Sequence, residues 1–263
     1  MTGAQFWSYL QQKIDKAYSA YLDNTKANSL IRESMYRMVD KFWRSQSLER
    51  DADEMMPFLI KGQSLTPSLG VIDISAQLPN YMHIMYMVST YEFPVEVTLV
   101  SGTTLTAVNH TLRKGDTIKL GVSTYEVKKV KGDTFDVGVS GLSTGTYYKV
   151  FEKSVRQIQS DRKGSSFHKA SLTSPMFEPI GDGTTTPKAI KITPSANLMS
   201  VEIDYVRIPP LDIDVANNTT TLEDYYSSKF IYRLMDECVL NFGSQTKDVQ
   251  TRQLAQQDII ENP

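Results

Sequence analysis

Hydrophobic positions recur at helical spacing at both ends of the chain and alternate with polar positions in between. Phe6, Leu10, Ile14, Ala17 and Tyr21 fall about one turn apart, and Asp23-Asn24-Thr25 then interrupts them with turn and cap chemistry. The spacing resumes with Ile31, Met35, Met38 and Phe42, while Arg32, Arg37, Lys41 and Arg44 fall mostly on other faces. Together the two stretches predict a helical hairpin. From Ser45 to Thr66 the pattern weakens. An acidic cluster at Asp51, Asp53 and Glu54, a break at Pro57 and a turn at Gly62-Gln63-Ser64 predict a short helix and a loop.

Strand signals follow. Gly70 to Ile74 and Tyr81 to Val88 flank Leu78-Pro79-Asn80, a turn that places a proline where no ladder N–H is required. Composition shifts at Phe93. From there to Phe151 lie short runs rich in Val, Thr and Tyr, punctuated by Gly102, Lys114-Gly115-Asp116, Gly132-Asp133 and Gly141 to Gly145. Ile118, Leu120 and Val122 alternate within these runs, as do Phe135, Val137 and Val139, and the turn spacing predicts a small inserted β-barrel.

Ser154 to Glu178 is polar and basic and reads as a connection. The turn Gly181-Asp182-Gly183-Thr184 precedes strands predicted over Ala189 to Thr193 and Leu198 to Arg207, the second stopped by Pro209-Pro210, which have no N–H to donate. Thr220 and Glu223 stand in capping-box spacing before a last helix. One face of that helix carries Tyr226, Phe230, Leu234 and Cys238, and another carries Ile231, Met235, Val239 and Phe242, an apolar girdle wide enough to be buried on several sides. Gly243 is the expected C-cap, and Ser244 to Pro263 an arm or peripheral helix. The fold class is therefore α+β: helices at both ends around a small antiparallel sheet (1–92 and 152–263), with a β-barrel inserted at 93–151.

Composition adds bounds. The chain of 263 residues, 40% hydrophobic, can bury a sizeable core without staples. Its single cysteine rules out an internal disulfide framework and suits a reducing cytosol. The opening sequence lacks the basic and apolar regions of a signal peptide, and no stretch offers the roughly 18 apolar residues of a membrane span, so neither export nor membrane insertion is expected. A net charge of −2 argues against a surface that is basic throughout for binding nucleic acid. The 14 tyrosines favour interfaces, because each offers apolar area together with a hydroxyl.

Candidate chemistry is sparse. His83, His110 and His168 lie far apart, each without a second ligand at metal spacing. Cys238 sits in an apolar stripe and reads as a small hydrophobe. Asp212 with Asp214, and Asp51 with Asp53, are the carboxylate pairs available to acid–base chemistry or to Ca²⁺; the first reads rather as a solvated or intersubunit acidic strip. No nucleophile elbow, zinc-protease motif, phosphate loop or dinucleotide fingerprint occurs. The one charge cluster retained is Lys153, Arg156, Arg162, Lys163 and Lys169, set against Glu152 and Asp161. It reads as a solvated loop, a contact for an acidic protein neighbour, or a phosphate contact, with no aromatic residues interleaved for stacking on bases. No catalytic, cofactor-binding or metal-binding residue is assigned, and no cofactor is expected.

The order of elements narrows the reading. The amphipathic opening Phe6 to Trp43, the lead-in Leu78-Pro79-Asn80-Tyr81-Met82 to a central strand, the strand Val201 to Pro209 with its Tyr205-x-Arg207-x-Pro209 ending, and the closing helix with its Gln-rich continuation from Thr221 to Gln257 together resemble the head-to-tail connector, or tail-adaptor, ring proteins of tailed bacteriophages. The insert from Phe93 to Phe151 departs from the compact form of that family. The resemblance implies a structural, non-enzymatic virion protein of the neck or tail, assembled in the cytoplasm of the host bacterium. It implies a closed ring of about twelve subunits below the portal protein, in contact with other neck or tail rings. Genomic DNA would pass through the channel without sequence-specific binding. In a different class stands a peptide- or glycan-binding module with the barrel as recognition domain and the helices as scaffold. An enzyme, with Asp or Glu in acid and base roles, is the third reading.

Overall fold

The computed structural model describes residues 1–14, 23–45, 56–78, 80–157, 170–180, 189–217 and 219–246. They form an α+β fold with four α-helices: α1 (Gly3–Lys13), α2 (Asn24–Ser45), the single-turn α3 (Ile74–Gln77) and α4 (Ser228–Thr246). The strands are β1 (Leu59–Leu65), β2 (Val71–Asp73), β3 (Tyr81–Val97), β4 (Leu99–Ser101), β5 (Thr104–Thr106), β6 (Thr117–Leu120), β7 (Ser123–Glu126), β8 (Lys129–Lys131), β9 (Thr134–Asp136), β10 (Gly145–Ser154), β11 (Arg156–Gln157), β12 (Met176–Ile180), β13 (Ala189–Thr193) and β14 (Leu198–Arg207). The chain divides into two compact units, Met1–Leu59 with Arg207–Pro263, and Ile60–Val206.

In the first unit, local chemistry sets where helices begin. Thr2 and Gln5 form a reciprocal capping box on α1, and the Asp23 carboxylate accepts the Lys26 N–H at 2.8 Å at the start of α2. α4 starts later than the sequence predicts. Thr221 makes no side-chain cap, Leu222–Asp224 form one 3₁₀ turn, and Ser227 accepts the N–H of Phe230 at 3.1 Å. The helix also runs past the expected C-cap: Gly243 is buried inside it, and burial overrides the local stop signal. Phe6 and Leu10 of α1, Ile31, Met35 and Val39 of α2, and Phe230, Leu234 and Cys238 of α4 are all buried.

Both α1 and α2 pack on α4. Two adjacent, nearly buried carboxylates of α4 anchor them: Asp236 pairs with Lys13 at 2.5 Å and Glu237 with Lys41 at 2.6 Å. The segment after β14 is held in the same unit by Tyr226. Its buried hydroxyl donates to the Leu211 carbonyl at 2.6 Å and accepts the Leu211 N–H at 3.1 Å, while its ring joins Phe58 and Phe230 in a cluster in which each ring touches the other two.

The second unit holds three sheets, in the orders β1-β14-β3-β10-β6-β7, β11-β12-β13-β2 and β4-β5-β9-β8. Its spine is the antiparallel ribbon of β3 and β10, paired from Val97 with Gly145 to Val88 with Ser154. Met87, Val95 and Val97 lie on one face of β3, and the length of the strand carries that face from one core, where Met87 meets Ile72, Ile190, Val201 and Ile203, to the barrel core, where Val95 and Val97 meet Leu105, Ile118, Phe135 and Tyr147. One unbroken strand thus serves both cores.

Three sequence expectations change here. The 59–65 stretch is strand rather than loop, and Gly62, expected in a turn, lies within it at φ +66°, its amide donating to the Asp204 carboxylate at 2.8 Å. The stretch Ser154 to Glu178, read as a connection, contributes β11 and part of β12, whose Met176 and Phe177 are buried. Ile74, read as the end of a strand, opens α3, because the Asp73 carboxylate caps it through the Ala76 N–H at 3.1 Å.

The barrel contains an internal repeat. Val97 to Ala107 and Val127 to Val137 share the pattern V-x-x-V-x-G-x-T-(L/F)-x-(A/V). Each copy is a hairpin with glycine at positive φ first in its two-residue turn, Gly102 at +62° and Gly132 at +57°. The hairpins join through β5 and β9 with Leu105 opposite Phe135, an approximate two-fold arrangement. Hydrogen bonds repeat too: Thr98 N–H to the Thr106 carbonyl at 2.9 Å matches Lys128 to Asp136 at 2.8 Å, and Ala107 to Asp133 matches Val137 to Thr103.

Candidate functional site

The cations singled out in the sequence are described only in part. Lys153 lies one residue before the end of β10 and Arg156 opens β11, both exposed, on either side of the buried Val155. The Lys153 ammonium lies 5.2 Å from the centre of the Phe151 ring, and the Arg156 N–H donates to the Pro175 carbonyl at 3.0 Å. Arg162, Lys163 and Lys169 lie outside the described residues, as does His168.

The groups weighed for catalysis or metal binding have structural partners. His110 accepts the Leu112 N–H on Nδ1 at 3.2 Å and sets its ring edge-on to Phe135 at 5.3 Å. His83 is half-buried in β3. Burial pushes the Cys238 thiol up to about 12, against a weaker opposing hydrogen bond with Ser34, so the group is neutral at physiological pH. Among the described residues, no group of three or more His, Cys, Asp or Glu side chains is placed to hold a metal ion. No helix among them is long and apolar enough to cross a membrane.

Asp212 and Asp214, expected as a solvated or intersubunit strip, are tied within their own unit to α2. Asp212 pairs with Arg32 at 2.7 Å. The Asp214 carboxylate accepts the Ala216 N–H at 2.9 Å, the Asn217 N–H at 3.2 Å and the Asn28 amide at 3.1 Å. These donors, the Ala216 N–H first, hold its pKa down at about 2. The extended segment is short and follows two prolines, so its carboxylates serve as its anchors. Asp51 and Asp53 lie outside the described residues.

The feature that sequence reasoning missed lies on the barrel. Thr104, Lys129, Lys131, Thr134, Phe135 and Asp136 line a cleft of about 170 Å³ on the face of β5, β9 and β8. The available signal was the alternation of Lys129 and Lys131 at positions where the first copy of the repeat carries Leu99 and Ser101.

Two of the four stretches that carry the connector resemblance fall on adjacent strands. Tyr81 begins β3 and Tyr205 lies near the end of β14, the strand beside it. Their ring centroids are 6.5 Å apart, tilted by 48°. Asn80 turns the chain into β3 at φ +61°, a conformation asparagine tolerates better than most residues; Pro79 lies outside the described residues. No protein-family model matches the chain, and comparison with curated proteins likewise finds no match.

Proposed function

We propose that this chain is a structural subunit of a closed ring in the neck of a tailed bacteriophage, below the portal, where it forms a conduit for genomic DNA and a docking surface for tail components. In this reading it works through surfaces and needs no reactive site or cofactor. The observation that carries the reading is the pairing of Tyr81 with Tyr205. Two of the four stretches that carry the resemblance lie far apart in sequence and meet on neighbouring strands of one sheet.

Physical considerations are compatible with a conduit. Subunits joined head to tail close into a ring when the rotation per subunit divides a full turn. A near-neutral chain, with a net charge of −2, can surround DNA without the counterion release that would bind it tightly. The rival reading, a peptide- or glycan-binding module, is favoured by the polar cleft on the barrel.

Co-sedimentation with purified portal rings tests the proposal. The connector reading expects the protein to pellet with the portal at a fixed stoichiometry, and a protein left in the supernatant at every ratio would argue for the module.

A further inference from the structure

The two copies of the barrel repeat agree inside and differ outside. Val97, Leu105 and Ala107 of the first match Val127, Phe135 and Val137 of the second, and all are buried. On the outer face, Leu99 and Ser101 of β4 are matched by Lys129 and Lys131 of β8, and Thr106 by Asp136. The register sets Lys129 beside Asp136 and then Thr104, and Lys131 beside Thr134 and then Thr106. Both lysines are exposed, and neither has an ion-pair partner among the described residues. Asp136, the carboxylate next to Lys129 in register, accepts the Gly138 N–H at 2.6 Å. Core packing explains what the copies share, and the paired cations set what the exposed edge strand can accept.

β8 is the last strand of its sheet, bonded to β9 on one side only. Such an edge invites a further strand. Lysines at alternate positions filter what can be added. A second copy of β8 would bring like charges directly opposite, which is unfavourable. A strand carrying carboxylates at alternate positions, roughly 6.6 Å apart, would set opposite charges in the same places. Nucleic acid fits less well: its backbone has no alternating N–H and C=O groups to satisfy the edge, and Asp133 and Asp136 flank the lysines.

We propose that the β8 edge of the barrel binds an extended acidic segment of a partner polypeptide by strand addition, with carboxylates at alternate positions opposite Lys129 and Lys131. The inference stands apart from the ring reading, since an acidic strand can dock on a ring subunit or on a monomer.

The test uses the full chain and three fluorescent probes: a peptide alternating glutamate with valine, the same peptide with glutamine, and a single-stranded oligonucleotide. Anisotropy is expected to show the glutamate peptide bound and the glutamine peptide bound roughly tenfold more weakly, with β8 amides slowed in hydrogen exchange by the glutamate peptide. The Lys129→Glu/Lys131→Glu variant should lose the acidic peptide and gain one alternating lysine with valine. Thermal unfolding checks that this variant folds, and if it does not, Lys129→Gln/Lys131→Gln should weaken the acidic peptide by a similar factor. Equal binding of the glutamate and glutamine peptides, binding indifferent to the lysine substitutions, or a preference for the oligonucleotide would each overturn the proposal.

Discussion

Tyr81 and Tyr205 bring their rings to 6.5 Å across the adjacent strands β3 and β14. Tyr205 is buried in the core that also takes Met87, Ile203 and Val201, and Tyr81 packs against that core from the start of its strand. The contact joins the start of β3 to a point near the end of β14. A double-mutant cycle with Tyr81→Ala and Tyr205→Ala should give a coupling energy of about 1 kcal/mol in thermal or urea unfolding. Additive losses would show that the rings do not interact.

The turn between β1 and β2 separates two backbone effects. Gly70 sits at φ +82°, and a Cβ there would overlap the Cβ of Ser195, so Gly70→Ala should destabilise the protein by about 2 kcal/mol or more. Its neighbour Leu69 is also left-handed, at φ +50°, and 94% exposed. Leu69→Asn should therefore raise stability by about 1 kcal/mol in denaturant unfolding, because asparagine tolerates this conformation and no packing is lost.

Acid should weaken the first unit through Asp214. Its pKa is lowered from 3.8 to about 2, so its stabilising contribution is fully present above pH 3.8 and is lost as the pH falls through about 2. Unfolding followed across that window should show a steeper loss in the wild type than in Asp214→Ala. Parallel slopes would mean that the carboxylate's donors do not matter to stability.

At the alkaline end Tyr226 has the opposite sign. Burial raises its pKa from 10.0 to about 12, so the contribution is intact below pH 10 and lost as the pH rises through about 12. Tyr226→Phe should cost about 1 to 2 kcal/mol at neutral pH, by leaving the Leu211 backbone without its partner, and should flatten the alkaline decline.

Much of the fold was legible because burial imposes a period on sequence. Phe6, Leu10 and Ile14, then Ile31, Met35 and Met38, are buried at the helical spacing that predicted them, and β13 and β14 begin and end where the sequence placed them. Less legible were positions where a neighbour distant in sequence decides. Gly62 looked like a turn, and it lies inside β1 with its amide held by the Asp204 carboxylate. Gly243 looked like a helix end, and its burial carries α4 onward. Asp212 and Asp214 read as a solvated or intersubunit acidic strip; Asp212 is solvated, and what stayed hidden were the ties to Arg32 and Asn28, which lie on a helix far back in the chain. The barrel repeat was hidden because its shared positions are sparse and its outer residues, Leu99 and Ser101 against Lys129 and Lys131, differ in kind.

Native mass spectrometry over a range of protein concentrations, with and without portal protein, addresses the central proposal most directly. The connector reading predicts one discrete closed oligomer of about twelve subunits, formed alone or on the portal. A monomer under every condition, indifferent to the portal, would contradict it.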